Sequence, residues 1–124
     1  MTENDVLAVF DALFEQATRA RDANAAAALF APDPNVTMWG SEEPEQAVGP
    51  EAVGTLLAAI TASEASLGFS WNERRVRIEG DVAWVNAAGS FTLDGATSAY
   101  RVTAVFVRRD GRWLLHTFNG SEPS

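Results

Sequence analysis

Cysteine is absent from the 124-residue chain, which excludes disulfides, a thiol nucleophile and a cysteine-held zinc. Lysine is absent too: all nine basic residues are arginine, so no Schiff base can form on a side chain. The single histidine, His116, rules out a multi-histidine metal centre within one subunit. Carboxylates remain for a hard cation, but no metal and no cofactor is expected. No apolar run approaches the roughly 20 residues that span a bilayer, so no membrane association is expected. The opening "MTENDV" is acidic rather than basic and does not read as a signal peptide. A cytoplasmic location is the expectation.

What is present is acid and apolar bulk. Seventeen Asp and Glu against nine Arg give a net charge of −8. Residues 1–66 hold eleven acids and two arginines (net −9), and residues 67–124 hold six acids and seven arginines (net +1). An acidic first half argues against nucleic acid, which needs a basic face. Arg101, Arg108, Arg109 and Arg112 read as solvated strand ends and turn flanks. With 47% hydrophobic and 21% charged residues, the chain is globular, and its length suits a single domain over 1–124.

Val6, Phe10, Leu13, Phe14 and Ala17 recur at helical spacing behind Thr2, predicting a helix over 3–21. Asp22 can cap a short second helix through "ANAAAALFA", which Pro32 and Pro34 end. "VTMW" (36–39) reads as a short strand and the Gly- and Pro-containing 40–49 as a loop. Pro50 suits the first turn of a third helix, "PEAVGTLLAAITASEA". From residue 68 the apolar period falls to two. The strands "GFSWNERRVRI", "DVAWVNAAGSFTL", "SAYRVTAVFVRR" and "RWLLHTF" are punctuated by Gly80-Asp81, Asp94-Gly95 and Asp110-Gly111. The fold class is α+β: three N-terminal helices packed on one face of a curved antiparallel sheet.

This order, together with "VGPEAV" opening the third helix, "GDVAWV" (80–85), "RVTAVFVRRDGRW" (101–113) and the terminal Ser121-x-Pro123, resembles the SnoaL-like and ketosteroid isomerase-like branch of the nuclear transport factor 2-like superfamily. The resemblance implies a cone with an open apolar cavity and a homodimer through the outer sheet face. It also implies a range of activities, from isomerases, cyclases, dehydratases and hydrolases to assembly domains without chemistry. Fold alone therefore leaves function open.

The last hairpin decides which side chains meet the cavity. A two-residue Asp110-Gly111 loop would pair Arg109 with Arg112, whereas a three-residue loop would pair Arg108 with Arg112, and one residue of slip reverses every side chain. The resemblance favours the three-residue loop. It places Arg101, Thr103, Thr117 and Asn119 inside, with Ser121 following, and leaves Tyr100, Val102, Ala104, Phe106, His116 and Phe118 on the outer, dimer-forming face. Relatives often carry cavity histidines where Thr117 and Asn119 stand, so His116 is one residue out of place.

Ketosteroid isomerase-like enzymes use a carboxylate base after the first strand; that position falls here near Thr37 or Met38, and steroid-isomerase chemistry is disfavoured. Asp33 reads as a turn or capping residue, Glu42 and Glu43 as solvated loop charges. Arg101 has two readings, an ion pair with Glu73 or a ligand clamp. Met38, Trp39 and Trp71 are expected to supply apolar wall, with Trp39 at the mouth, and Trp84 and Trp113 to pack the core. The expected function is a cavity protein for a hydrophobic, carbonyl- or carboxylate-bearing small molecule. Its polar contacts would be Arg101, Thr103, Thr117, Asn119 and Ser121. In any isomerase-, cyclase- or hydrolase-type reaction, Arg101 and Asn119 would polarise a carbonyl while water or Asp33 moves the proton. The alternative is a non-catalytic dimerisation or assembly module acting through the outer face.

Overall fold

A computed structural model of the protein describes residues 2–123. Helix α1 (Glu3–Phe14) starts as expected at Thr2, whose backbone N–H donates to the Asp5 carboxylate at 2.7 Å. The expected continuous helix to residue 21 instead widens into a π-helical turn, Glu15–Arg19, closed by a left-handed Arg21 (φ 52°). Such widened turns rotate the following side chains relative to an α-helix. Here Thr18 adapts by donating its hydroxyl to the Phe14 carbonyl at 2.7 Å. Asp22 caps α2 (Ala23–Ala27), accepting from the Ala25 N–H at 3.0 Å. Helix α3 (Pro50–Ala62) opens on Pro50.

The strands are β1 (Thr37–Trp39), β2 (Gln46–Val48), β3 (Leu67–Glu79), β4 (Val82–Leu93), β5 (Ala96–Arg109) and β6 (Arg112–Ser121). They form one sheet in the order β2-β1-β6-β5-β4-β3. Two details differ from the sequence reading. The stretch 40–49 is not all loop, because β2 folds back on β1. The sheet is mixed rather than antiparallel, because β1 runs parallel to β6. The chain thus lays β1 beside the C-terminal strand.

The last hairpin uses the two-residue turn, with Arg109 opposite Arg112. Asp110 (φ 52°) and Gly111 (φ 75°) are both left-handed, the geometry whose twist matches that of the flanking strands. The three-residue turn is therefore corrected. A β-bulge then shifts the pairing, since Phe106 faces Leu115 while Val105 faces Thr117, leaving His116 as the extra residue. Beyond the bulge Arg101, Thr103 and Val105 lie opposite Ser121, Asn119 and Thr117. These residues share a face as expected, although the turn that was to bring this about is different.

The direction of that face is the larger correction. Tyr100, Val102, Ala104, Phe106 and Phe118 are all buried and belong to the core with Val6, Phe10 and Leu13 of α1 and Val53 and Leu57 of α3. Arg101, Thr103 and Asn119 are exposed. The apolar set faces the helices, and the polar set lies on the convex side. Burying these five side chains, three of them aromatic, is worth several kcal/mol more than burying an arginine with two hydroxyls and an amide, and that difference sets the direction.

Among the described residues no helix is long and apolar enough to cross a membrane.

Candidate ligand cavity

Between the helices and the concave sheet lies a cavity of about 580 Å3. The end of α1 presents Leu13 and Phe14 to it, the widened turn that follows Ala17 and Thr18, and α3 Leu56 and Ile60. The open end of the sheet contributes Leu67, Phe69, Phe91 and Leu93, and its centre Met38, Tyr100 and Phe118. Aromatic contacts tie the wall together: Phe14 to Phe69 at 4.8 Å, and Phe69 to Tyr100 at 5.2 Å. Ring pairs of this kind hold a shape better than aliphatic chains, which have more rotamers to lose.

The polar groups gather at the mouth. The loop between β1 and β2 carries Ser41, Glu42 and Glu45, and Glu122 follows β6; all four line the cavity. The Glu45 carboxylate accepts the Glu42 N–H at 3.1 Å. Ser41 and Ser98 donate to Glu122 at 2.6 and 3.3 Å. Tyr100, the only tyrosine, retains 7% of its surface exposed, and its hydroxyl has no hydrogen-bond partner among the described residues. It passes over Gly120, where a Cβ would stand 2.0 Å from the phenol oxygen; only glycine leaves room for it. Burial, reinforced by the negative charges of Glu45 and Glu122, pushes the Tyr100 phenol up to about 12.

Of the residues expected to contact a ligand, Met38 alone lines this cavity. Trp71 packs behind the lining, 5.4 Å from Phe10 and 5.2 Å from Phe14 between ring centres. Trp39 pairs with Asn119 on the convex side and is 39% exposed, so it does not form the mouth. Arg101, Thr103, Thr117, Asn119 and Ser121 lie on the convex face too, and Thr103 donates to Asn86 at 2.9 Å. They cannot share a ligand with the cavity, because the sheet stands between. The ion pair read for Arg101 is not formed: Glu73 pairs with Arg75 at 2.6 Å, and Arg101 makes no ion pair among the described residues.

Asp33 also lies outside. It accepts from the two terminal guanidinium nitrogens of Arg109, at 2.6 and 2.7 Å, and this hydrogen bonding holds its carboxyl below the usual range. His116 stands beside it, 3.3 Å from Asn35 and 3.0 Å from Thr117. Asp33, Arg109 and His116 therefore tie the segment before β1 to the last hairpin. Sequence reasoning missed Tyr100, Glu45 and Glu122. The available signal was a lone tyrosine in an apolar alternation facing a glycine on the next strand.

A SnoaL-like domain model matches residues 6–123. The chain belongs to the SnoaL-like family. Solved structures agree on the fold. A candidate dehydratase of the nuclear transport factor 2-like family from Streptomyces avermitilis is 21% identical, with 98% of this chain and 96% of that one covered and a TM-score of 0.88. An uncharacterised protein with a cystatin-like fold from Caulobacter vibrioides is 16% identical, covering 98% and 89%, with a TM-score of 0.80. A candidate calcium/calmodulin-dependent protein kinase II association domain from Xanthomonas campestris is 25% identical, covering 95% and 85%, with a TM-score of 0.78. No curated protein matches the chain.

Proposed function

We propose that this SnoaL-like protein binds a hydrophobic small molecule in its cone. The observation that carries the reading is the cavity of about 580 Å3 walled by Phe14, Phe69, Phe91, Tyr100 and Phe118, within the size range of small-molecule sites. Any isomerase-, cyclase- or hydrolase-type chemistry there would fall to the titratable groups that line it, Tyr100 and the carboxylates Glu42, Glu45 and Glu122. The neutral fluorescent probe N-phenyl-1-naphthylamine tests the reading. One saturable site per chain is expected, and Ala59→Trp, which places an indole at a lining position of α3, should abolish it while circular dichroism stays unchanged. Non-saturable binding, or binding indifferent to Ala59→Trp, would overturn it.

A second reading, assembly, is favoured by the convex face. Trp39, Val48 and Val82 are 39%, 56% and 39% exposed there, and Trp84 and Val105 face each other half-buried between them. We infer a homodimer through this face, carried by these residues and not by the buried Tyr100–Phe106 set. The structural neighbour described as an association domain is consistent with that use of the fold. Light scattering should give twice the chain mass for the natural sequence and the monomer mass for Trp84→Arg.

A further inference from the structure

We propose that the cavity is built for an apolar molecule carrying a cationic, ammonium-type head, and that it discriminates against carboxylates. The inference rests on the cavity reading above and reverses the charge of ligand expected from the sequence. Three independent observations support it. The ionisable lining is one-signed: Glu42, Glu45 and Glu122 line the mouth, and no arginine or histidine lines the cavity. Arg21 is not in the lining; its guanidinium donates to the carbonyls of Ser63 and Ala65. The second observation is the lining by five aromatic rings, whose faces attract cations within about 6 Å and offer nothing comparable to an anion.

The third is the Tyr100 hydroxyl. The residue is more than nine-tenths buried and lines the cavity, and its hydroxyl lacks a protein partner among the described residues and is allowed into its place by Gly120. A molecule closing over this hydroxyl leaves it unsatisfied unless it bonds to it. Its oxygen can accept an N–H from an ammonium group, while Glu45 and Glu122, each with hydrogen-bonding capacity left after Glu42, Ser41 and Ser98, accept the others. A carboxylate in the same place would meet the negative charges of Glu42, Glu45 and Glu122 with no cationic side chain in the lining to offset them.

Three probes of one skeleton test this by calorimetry at neutral pH: 2-(1-naphthyl)ethylamine, 2-(1-naphthyl)ethanol and 1-naphthaleneacetic acid. The amine should bind about tenfold more tightly than the alcohol, and the acid more weakly than either. Glu45→Gln/Glu122→Gln should bring amine and alcohol within about threefold, whereas the distant Glu3→Gln/Glu79→Gln should leave the preference intact. The distant pair guards against a mere attraction of amines to an acidic protein. A preference lost equally in both double variants overturns the inference. An alcohol equal to the amine, or an acid tighter than either, overturns the charge class while the cavity reading stands. If none of the three binds, both fall.

Discussion

On β5, Tyr100, Val102, Ala104 and Phe106 face the helices and are buried, while Arg101 and Thr103, one residue away each, are exposed. The two faces share the same backbone hydrogen bonds, so what separates them is side-chain parity alone. Parity on β6 is held by the turn and by one bulge residue, His116. Inserting an alanine after His116 breaks the comparison most severely. With the Asp110-Gly111 turn and the one-residue bulge kept, Phe118 and Gly120 would turn outward and Thr117 and Asn119 inward. The expected loss exceeds about 4 kcal/mol, seen as the absence of a cooperative denaturant transition. His116→Ala keeps the bulge and forfeits the hydrogen bonds to Asn35 and Thr117 and the 3.8 Å approach to Asp33, costing about 1 kcal/mol or less. An insertion variant as stable as His116→Ala would show that the register beyond the bulge is not fixed.

This dependence explains what was legible in the sequence. Period-two alternation from residue 68 showed the strands, Asp22 and Pro50 the helix starts, and the grouping of Arg101 and Thr103 with Thr117 and Asn119 is present beyond the bulge. Alternation divides a strand into two sets without saying which faces the core. The apolar set, Tyr100 to Phe106 with Phe118, should have been turned toward the helices on burial grounds; the resemblance to proteins with polar cavity residues pulled it the other way. The bulge itself was illegible, because nothing in "WLLHTF" marks the residue that lacks a partner. β2 was hidden because Gln46–Val48 has only three residues beside Gly and Pro.

Truncation sharpens the contrast at a smaller scale. Phe106 is fully buried, and Phe106→Ala should cost about 3–5 kcal/mol in denaturant unfolding. Arg101→Ala should stay within about 0.5 kcal/mol, since its side chain is exposed and makes no ion pair among the described residues. A cost above about 1.5 kcal/mol for Arg101→Ala, measured at two protein concentrations, would place Arg101 in a subunit contact if it grew with concentration. If it did not, the assignment of the two faces would be wrong.

The smallest effect is also the most selective, because the chain has one tyrosine and its phenolate absorbance reports a single site. In the folded protein Tyr100 should titrate near 12, against an ordinary value of 10.0. The sign follows from proton uptake: between those values the folded state keeps the proton that the unfolded state has lost, so stability falls as pH rises. The contribution of Tyr100 is complete below about pH 10 and is lost on passing through the folded value. Burial is the leading cause and Glu45 the second, so Glu45→Gln should lower the midpoint only slightly. Titration near 10 in a chain still folded by circular dichroism would mean that water reaches the phenol freely. The concave face would then be as wet at Tyr100 as the convex face is at Arg101, and the difference between them would reduce to packing without a dry cavity.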